Sequence, residues 1–245
     1  MQNIFLFIST LLAYFVKSIT GFGNTLVMGS LFSFAVSNRL TTPVDLIFSI
    51  PTNIYIAWRE RKNISLKVVI PLSLMLLVGI IPGTFFLRVG NDRILKSILG
   101  IVVVGMALEM LTRKPTKNET KKNSPIFLII IGIISGILAG LYGIGALLVA
   151  YISRTTNNKS EFRANICCVF LVDNVFRLFL YLFTGILNKE IFILTLILSP
   201  AVILGMIVGV KVDSKMKEET VKKSVIALLI ISGTVLLVKS LLFYK

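Results

Sequence analysis

Long apolar runs alternate with short polar or charged segments along the whole chain. A helix needs about 20 apolar residues to cross a hydrocarbon core about 30 Å thick. Uninterrupted runs of this size end at charge clusters or at turn-prone residues such as Gly90-Asn91 and Asn188. The sequence therefore predicts an all-α, polytopic transmembrane helix bundle. The full spans are predicted at residues 40–58, 67–88, 92–112, 161–184, 190–210 and 222–243.

Two further apolar stretches, residues 3–37 and 125–153, are interrupted by the sequences TGFGNT and GLYGIG. The second helical piece of each stretch, at 25–37 or 144–153, is too short to cross the membrane comfortably. Irregular backbone at membrane depth is tolerated only where it is buried in protein or lines a cavity. We therefore predict two broken helical hairpins packed against the bundle, and the pattern leaves open whether they are re-entrant or span fully.

The charged segment at residues 113–124 divides the chain almost in half. Each half has the same order of elements, a broken apolar pair followed by three full spans. We therefore predict an N-terminal transmembrane repeat at residues 1–112, a cytoplasmic linker at 113–124 and a C-terminal transmembrane repeat at 125–245.

Glycine landmarks recur at nearly the same spacing in the two halves. The motif Gly21-Phe22-Gly23 precedes Gly143-Ile144-Gly145 by 122 residues. A second pair of glycines, in a later span, recurs after 126 residues. Two landmarks at similar offsets favour an internal repeat. The second landmark consists of Gly79 and Gly83 in one half and Gly205 and Gly209 in the other.

The distribution of lysine and arginine predicts the orientation, because cytoplasmic loops are enriched in them. Placing the clusters after residues 58, 112, 153 and 210 in the cytoplasm gives 17 basic residues inside and 7 outside. Both termini of this inner- or plasma-membrane protein are then extracytoplasmic, and the two halves have opposite orientations. Inverted repeats of this kind are the architecture of many secondary carriers. The amino terminus lacks the features of a secretory signal, so the first apolar run is expected in the mature protein.

Composition supports the membrane assignment. Hydrophobic residues make up 56% of the chain and charged residues 15%, against about 45–50% and about 25% in soluble domains. The net charge of +15 resides in short clusters between apolar runs, so the expected partner is the lipid bilayer and not nucleic acid.

The chain offers little for enzyme chemistry. Cys167 and Cys168 are adjacent in an apolar run, which gives neither a disulfide framework nor metal-ligand spacing. Histidine is absent, which removes imidazole catalysis and histidine zinc sites. A lipid-modifying enzyme would need a cluster of nucleophile, base or metal ligands at one depth, and the sequence shows none. We expect no catalytic residues, no metal and no cofactor.

The glycine breaks are the first candidates for a binding site. Helix amino termini that meet near the midplane present free N–H groups and positive dipole ends, which suit an anion. Glycine lets an oxyanion approach the backbone closely. The alternative is that the glycines only permit tight helix packing, which is our interpretation of the ridge formed by Gly132, Gly136 and Gly140. The candidate substrate residues are Thr20, Gly21, Gly23, Asn24, Thr25, Gly143 and Gly145.

Two basic residues, Lys17 and Arg177, lie inside predicted spans, where a charge costs about 2.5–3.5 kcal/mol. Such residues usually face the bundle interior and mark a pathway, so both are candidate substrate residues, together with Asn174. The alternative for Arg177 is an ion pair with Asp173, one turn earlier. The alternative for Lys17 is that its side chain reaches the nearer membrane surface.

Asp45 and Asp173 occupy comparable places in the two halves. Burial disfavours the charged form of a carboxyl group, so these residues are candidates to bind a coupling proton. An asparagine in the same spans either lines a cavity or bonds a neighbouring helix, and for any one asparagine we expect the bond to a helix.

The segments KSITGFGNTLVMGSL (Lys17–Leu31) and GIISGILAGLYGIGALLVAYI (Gly132–Ile152) resemble the TauE/SafE family of sulfite exporter-like membrane proteins. The resemblance covers the whole chain in layout and rests on these two motifs. It implies export of small sulfur-containing or organic anions, with the glycine breaks forming the site, and a homodimer. The family's consecutive glycines and Thr-Ser pair are replaced here by Ala146-Leu147 and Ala164-Asn165-Ile166.

These features together predict a secondary membrane transporter of small anions such as sulfite, organosulfonates or related organic anions. The alternatives are a passive anion channel and a membrane subunit that does not transport. Substrate, direction, coupling ion and oligomeric state are left open by the sequence.

Overall fold

The computed structural model describes residues 2–89, 125–142 and 158–216, with isolated positions between 94 and 112, 148 and 156, and 219 and 238. The described residues form helices and turns, with no strand among them. The helices are α1 (Gln2–Thr20), α2 (Asn24–Phe32), α3 (Asn38–Arg59), α4 (Leu66–Val89), α5 (Pro125–Tyr142), α6 (Lys159–Phe183) and α7 (Lys189–Asp213), with a 3₁₀ turn at Arg61–Asn63.

Four described helices are long and apolar enough to cross a membrane: α1, α4, α6 and α7. Three of them correspond to the spans predicted at 67–88, 161–184 and 190–210. The prediction of an all-helical, multi-pass membrane protein is therefore confirmed. The last predicted span of each half, 92–112 in the first and 222–243 in the second, lies mostly outside the described residues. The linker at 113–124 also lies outside them.

Helix α3 forms over the span predicted at 40–58, but it is more polar than the four apolar helices. Six of its polar side chains are buried, so they face the protein and not lipid. This helix therefore brings hydrogen-bonding groups into the interior of the bundle. The buried polar residues of α3 are Thr41, Thr42, Asp45, Ser49, Thr52 and Asn53.

The first glycine break has the predicted form. Helix α1 ends at Thr20 and α2 begins at Asn24. Between them Gly21 and Gly23 adopt φ values of +84° and +88°, a left-handed conformation that favours glycine. Helix α2 has 9 residues and rises about 1.5 Å per residue, so it cannot cross the membrane by itself. It ends at Phe32, earlier than predicted.

The second predicted break follows α5, which ends at Tyr142. Residues 143–147 lie outside the described residues. The second broken hairpin, including Gly143 and Gly145, therefore stays a prediction.

Helix α4 packs directly on α5 through glycine. A Cβ atom built on Gly79 would lie 2.9 Å from the Cα atom of Gly136, and one on Gly83 would lie 3.0 Å from that of Gly140. Lipid tails give helices no hydrophobic reason to associate, so close backbone packing of this kind is a main source of attraction. The packing interpretation of the α5 glycine ridge is confirmed.

Helix α7 packs on α1 in the same manner. A Cβ atom on Gly205 would lie 3.0 Å from the backbone nitrogen of Phe15, and one on Gly209 would lie 2.7 Å from its carbonyl oxygen. Helix α3 packs on α6. Each of the three pairs, α1 with α7, α4 with α5 and α3 with α6, joins a helix from residues 1–112 to one from residues 125–245.

Candidate functional site

A group of polar side chains from α1, α2 and α3 surrounds one buried carboxylate. The Tyr14 hydroxyl donates a hydrogen bond to Asp45 Oδ1 at 2.8 Å, and Asn24 Nδ2 donates to the same oxygen at 2.7 Å. The Thr25 hydroxyl donates to Asp45 Oδ2. Asn24 also donates to Ser49 Oγ at 2.9 Å. We call these five residues the hairpin cluster, and in it uncharged donors hold Asp45.

Lys17 lies beside the hairpin cluster and is only 1% exposed. Its ammonium nitrogen is 5.7 Å from the centroid of the Tyr14 ring and interacts electrostatically with Asp45 and Cys167. Within the described part of the chain, this ammonium group forms no ion pair and no hydrogen bond. The alternative in which Lys17 reaches the membrane surface is wrong, because surrounding protein encloses the side chain.

The polar residues of the break mainly bond the protein itself. The Thr20 hydroxyl accepts a hydrogen bond from the backbone nitrogen of Phe22 at 3.2 Å and lies 2.5 Å from the Phe22 carbonyl oxygen. Thr20 therefore stabilises the turn. Asn24 and Thr25 orient Asp45. The amino end of α2 has no side-chain hydrogen-bonded cap, so the backbone N–H groups there are the ones that a ligand can use.

The carboxyl end of α1 is capped from α6. Arg163 is buried, donates a hydrogen bond to the Ile19 carbonyl oxygen and makes two bonds to the Asp213 carboxylate, at 2.6 and 2.7 Å. Cys167 Sγ donates to the Gly21 carbonyl oxygen at 3.3 Å. A cation at a helix carboxyl terminus is stabilised by the helix dipole. Arg163 therefore joins the ends of α1 and α7 to the start of α6.

The sequence does not predict this role for Arg163, which is counted there with the basic cluster after residue 153. The one available signal is its position inside the span predicted at 161–184, four residues before Cys167. Residues four apart lie on one face of a helix, and here that face contacts the break.

A second polar group lies on α6. Arg177 is 2% exposed and donates hydrogen bonds to Asp173 Oδ2 at 3.0 Å, Asn174 Oδ1 at 2.7 Å and the Ala139 carbonyl oxygen at 2.8 Å. The ion pair offered as the alternative for Arg177 is therefore formed. We call Asp173, Asn174, Arg177 and Tyr181, which all lie on α6, the α6 cluster.

The α6 cluster retains unused hydrogen-bonding capacity. Asp173 Oδ1, Arg177 Nε and the Tyr181 hydroxyl are buried without a hydrogen-bond partner among the described residues. Buried polar atoms are normally paired, so unpaired atoms in one place call for an explanation such as a ligand or water. The ion pair therefore does not use the whole guanidinium group.

The two clusters lie on helices that pack on each other. Asp45 is buried on α3, and Asp173, Asn174, Arg177 and Tyr181 are buried on α6. The structure thus brings together the predicted residues Lys17, Asn24, Thr25 and Asp45 in one group and Asp173, Asn174 and Arg177 in the other.

The side chains of Lys17 and Asp45 are buried, at 1% and 3% exposure. Two described clefts, of about 260 and 430 Å³, open where α3 and α7 begin, and neither is lined by Lys17 or Asp45. The Arg163–Asp213 pair lies at the opposite ends of the helices, where α1 and α7 finish.

Apolar helices of spanning length around buried charged side chains define a multi-pass helical membrane protein. A sequence model described as sulfite exporter TauE/SafE matches residues 6–236. The chain belongs to this family of membrane transporters, as the two glycine motifs indicated. Neither the curated proteins nor the solved structures that were compared include a match.

Proposed function

We propose that this protein is a secondary carrier that exports small anions, such as sulfite or organosulfonates, across the inner or plasma membrane. The observation that carries the proposal is the position of Lys17. Its ammonium group is buried, lacks an ion pair among the described residues and lies beside a glycine break. A small oxyanion is the ligand that would complete this site.

Electrostatics favours an anion over a neutral ligand. A charge deep in a membrane protein is costly unless a partner compensates it. The uncapped amino end of α2 adds the positive end of a helix dipole and free N–H donors. At Gly21 and Gly23 the backbone is open to close approach, because no side chain covers it.

The packing of the helices supports a carrier built from two related halves. Each half supplies one helix to each of the three pairs. If a two-fold axis relates the repeats, α1 corresponds to α5 and α4 to α7, so the pair α1–α7 corresponds to the pair α5–α4. Rocking of one repeat against the other around a central site is the usual mechanism of such carriers. The inverted orientation, extracytoplasmic termini and homodimer are part of this proposal.

Arg177 and Asn174 form the second side of the proposed site. A guanidinium group has five donors, and its Nε–H is unpaired here within the described structure. Asp45 and Asp173 are the proposed coupling groups, because both are buried carboxyl groups next to the two cations.

The test is anion exchange by purified protein in phospholipid vesicles, comparing wild type with Lys17→Gln. A charged hydrogen bond contributes about 1.5–3 kcal/mol, so loss of Lys17 should weaken anion binding and counterflow at least about tenfold. Lys67→Gln is the matched control, because Lys67 is exposed at the start of α4. Equal exchange by wild type and a folded Lys17→Gln variant would refute the site.

The same vesicles distinguish a carrier from a channel. A carrier shows saturation and accelerated exchange when unlabelled anion is present on the far side. A channel instead follows the membrane potential without exchange. A protein that moves no anion under either condition would favour the non-transporting subunit.

A further inference from the structure

We infer that the site takes an anion of single charge together with one proton on Asp45, so that both the empty and the loaded site are electrically neutral. This inference rests on the proposed function. Export then runs down the outward gradient of the anion, because the proton that leaves with it moves against the usual inward proton gradient. The starting point of the inference is the charge balance of four charged side chains buried in the described structure. They are Lys17 on α1, Asp45 on α3, and Asp173 and Arg177 on α6.

Arg177 and Asp173 cancel each other. Their ion pair has an N–O distance of 3.0 Å, and both side chains are 2% exposed. A proton on Asp173 would leave the buried guanidinium uncompensated, which is costly. The pair is therefore expected to stay charged on both partners during transport, which narrows the two proposed coupling groups to Asp45.

Lys17 and Asp45 differ from that pair. They interact electrostatically, but no direct ion pair joins them. Asp45 is held by Tyr14, Asn24 and Thr25, which are uncharged. In the empty site, the negative charge of Asp45 offsets the positive charge of Lys17 without a direct contact. The Asp45 carboxyl group can therefore take a proton without breaking a salt bridge.

The arrangement gives a reason for obligatory coupling. An anion alone would leave the site with one negative charge, and a proton alone would leave one positive charge. Either state is expensive to move through a low-dielectric interior. When both bind, the loaded site is neutral. A doubly charged anion would need two protons. Of the three carboxyl groups buried in the described structure, Asp45, Asp173 and Asp213, only Asp45 is outside an ion pair.

The charged and titratable groups around Asp45 are consistent with this balance. In the described structure they are Tyr14 and Lys17 from α1 and Arg177 and Tyr181 from α6. The α2 groups that contact it, from Asn24 and Thr25, do not titrate. Asp45 is thus the one unpaired carboxyl group within reach of both cations.

The experiment uses wild-type protein in sealed phospholipid vesicles with an entrapped pH dye and a potassium diffusion potential set by valinomycin. The probes are methanesulfonate and 2-hydroxyethanesulfonate as single charges, and sulfate and ethane-1,2-disulfonate as double charges. Uptake of the singly charged anions should acidify the lumen and proceed at the same rate at positive and negative potentials. The doubly charged anions should enter at least about tenfold more slowly.

The variant Asp45→Asn separates net transport from exchange. Its empty site keeps the charge of Lys17, so net uptake should fall about tenfold or more. Its loaded site is neutral, so exchange of labelled for unlabelled methanesulfonate should persist. Glu60→Gln, which removes a carboxyl group just beyond the end of α3, should retain both activities.

The outcomes distinguish this inference from the function on which it rests. Uptake that depends on voltage, brings no protons or accepts sulfate equally well would overturn the inference and leave an anion carrier. Absence of movement by every probe would overturn the proposed function itself. If Asp45→Asn does not fold, the inference is still tested by wild-type protein, through the voltage dependence of uptake, the acidification of the lumen and the preference for singly charged anions.

Discussion

Arg163 lies directly against Gly21, so that a Cβ atom at Gly21 would stand 2.9 Å from Cγ of Arg163. The same arginine donates to the carbonyl oxygen of Ile19 and binds Asp213. One side chain therefore fills the space beside the glycine break, caps α1 and connects it to the end of α7.

Gly21→Ala should damage the break. The φ value of +84° is a conformation that costs an alanine about 1–2 kcal/mol, and the new Cβ would press on Arg163. We expect lower thermal stability in detergent and weaker anion exchange. Gly29→Ala is the control, because Gly29 lies inside α2 with no atom within 4 Å of its Cβ position. That variant should match or exceed wild-type stability, and equal behaviour of the two variants would contradict the role of Gly21.

Removing Arg163 should leave the end of α1 without its cap and Asp213 with only the longer contact to Lys159, at 3.6 Å. Breaking a buried ion pair by deleting one partner costs about 3–5 kcal/mol, so Arg163→Met should strongly reduce stability. The double variant Arg163→Met/Asp213→Asn should recover part of this loss. Together with Asp213→Asn alone, these variants form a double-mutant cycle. Additive losses of stability in it would show that the two residues act separately.

The exposed pair of Lys223 and Glu219 provides the control for that cycle. Its nitrogen–oxygen distance is 2.8 Å, but the side chains are 75% and 77% exposed. Surface pairs contribute little because water screens them. Lys223→Gln should therefore leave the melting temperature unchanged.

Gly136→Ala tests the contact between α4 and α5. A Cβ atom there would lie 2.8 Å from the Cα atom of Gly79, so the helix backbones would have to separate. Overpacking of this kind costs about 1–3 kcal/mol. Resistance to unfolding in mixed detergent is the measurement, with Gly105→Ala as the control at a described helical position without neighbours within 4 Å. A Gly136→Ala protein as stable as the control would exclude close packing here.

Tyr14→Phe tests the hydrogen bond that holds Asp45. The lost bond to a carboxylate is expected to cost about 1.5–3 kcal/mol and to leave Asp45 less well positioned for the proposed proton. Net anion uptake should fall while the protein stays folded. Tyr55→Phe changes a tyrosine that is 43% exposed and should transport normally. Wild-type uptake by Tyr14→Phe would remove the hairpin cluster from the mechanism.

The first break and the buried charges could be predicted from the sequence because local chemistry defines them. Glycine at positions 21 and 23 interrupts an apolar run, and Lys17 and Arg177 stand out against apolar neighbours. The short second helix follows from the same argument, although its end at Phe32 does not, because Ser33 to Val36 continue as hydrogen-bonded turns.

The partners of these residues were harder to predict because they lie far apart in the chain. Arg163 and Asp213 are 50 residues apart, the first near the start of the span predicted at 161–184 and the second just beyond the span predicted at 190–210. Hydrophobic periodicity shows which residues face lipid, but it does not say which helices meet. The packing of α7 on α1 depends on shape at Gly205 and Gly209, which becomes evident only in three dimensions.

The contact between α1 and α7 has a consequence for biosynthesis. The ribosome makes α1 before α7, and the helix against which α1 packs follows almost 200 residues later. During that interval Tyr14 and Lys17 must reside in the translocon or in a loosely assembled bundle. Assembly of the first helix should therefore be among the last steps of folding, and truncation before α7 should leave α1 accessible to degradation.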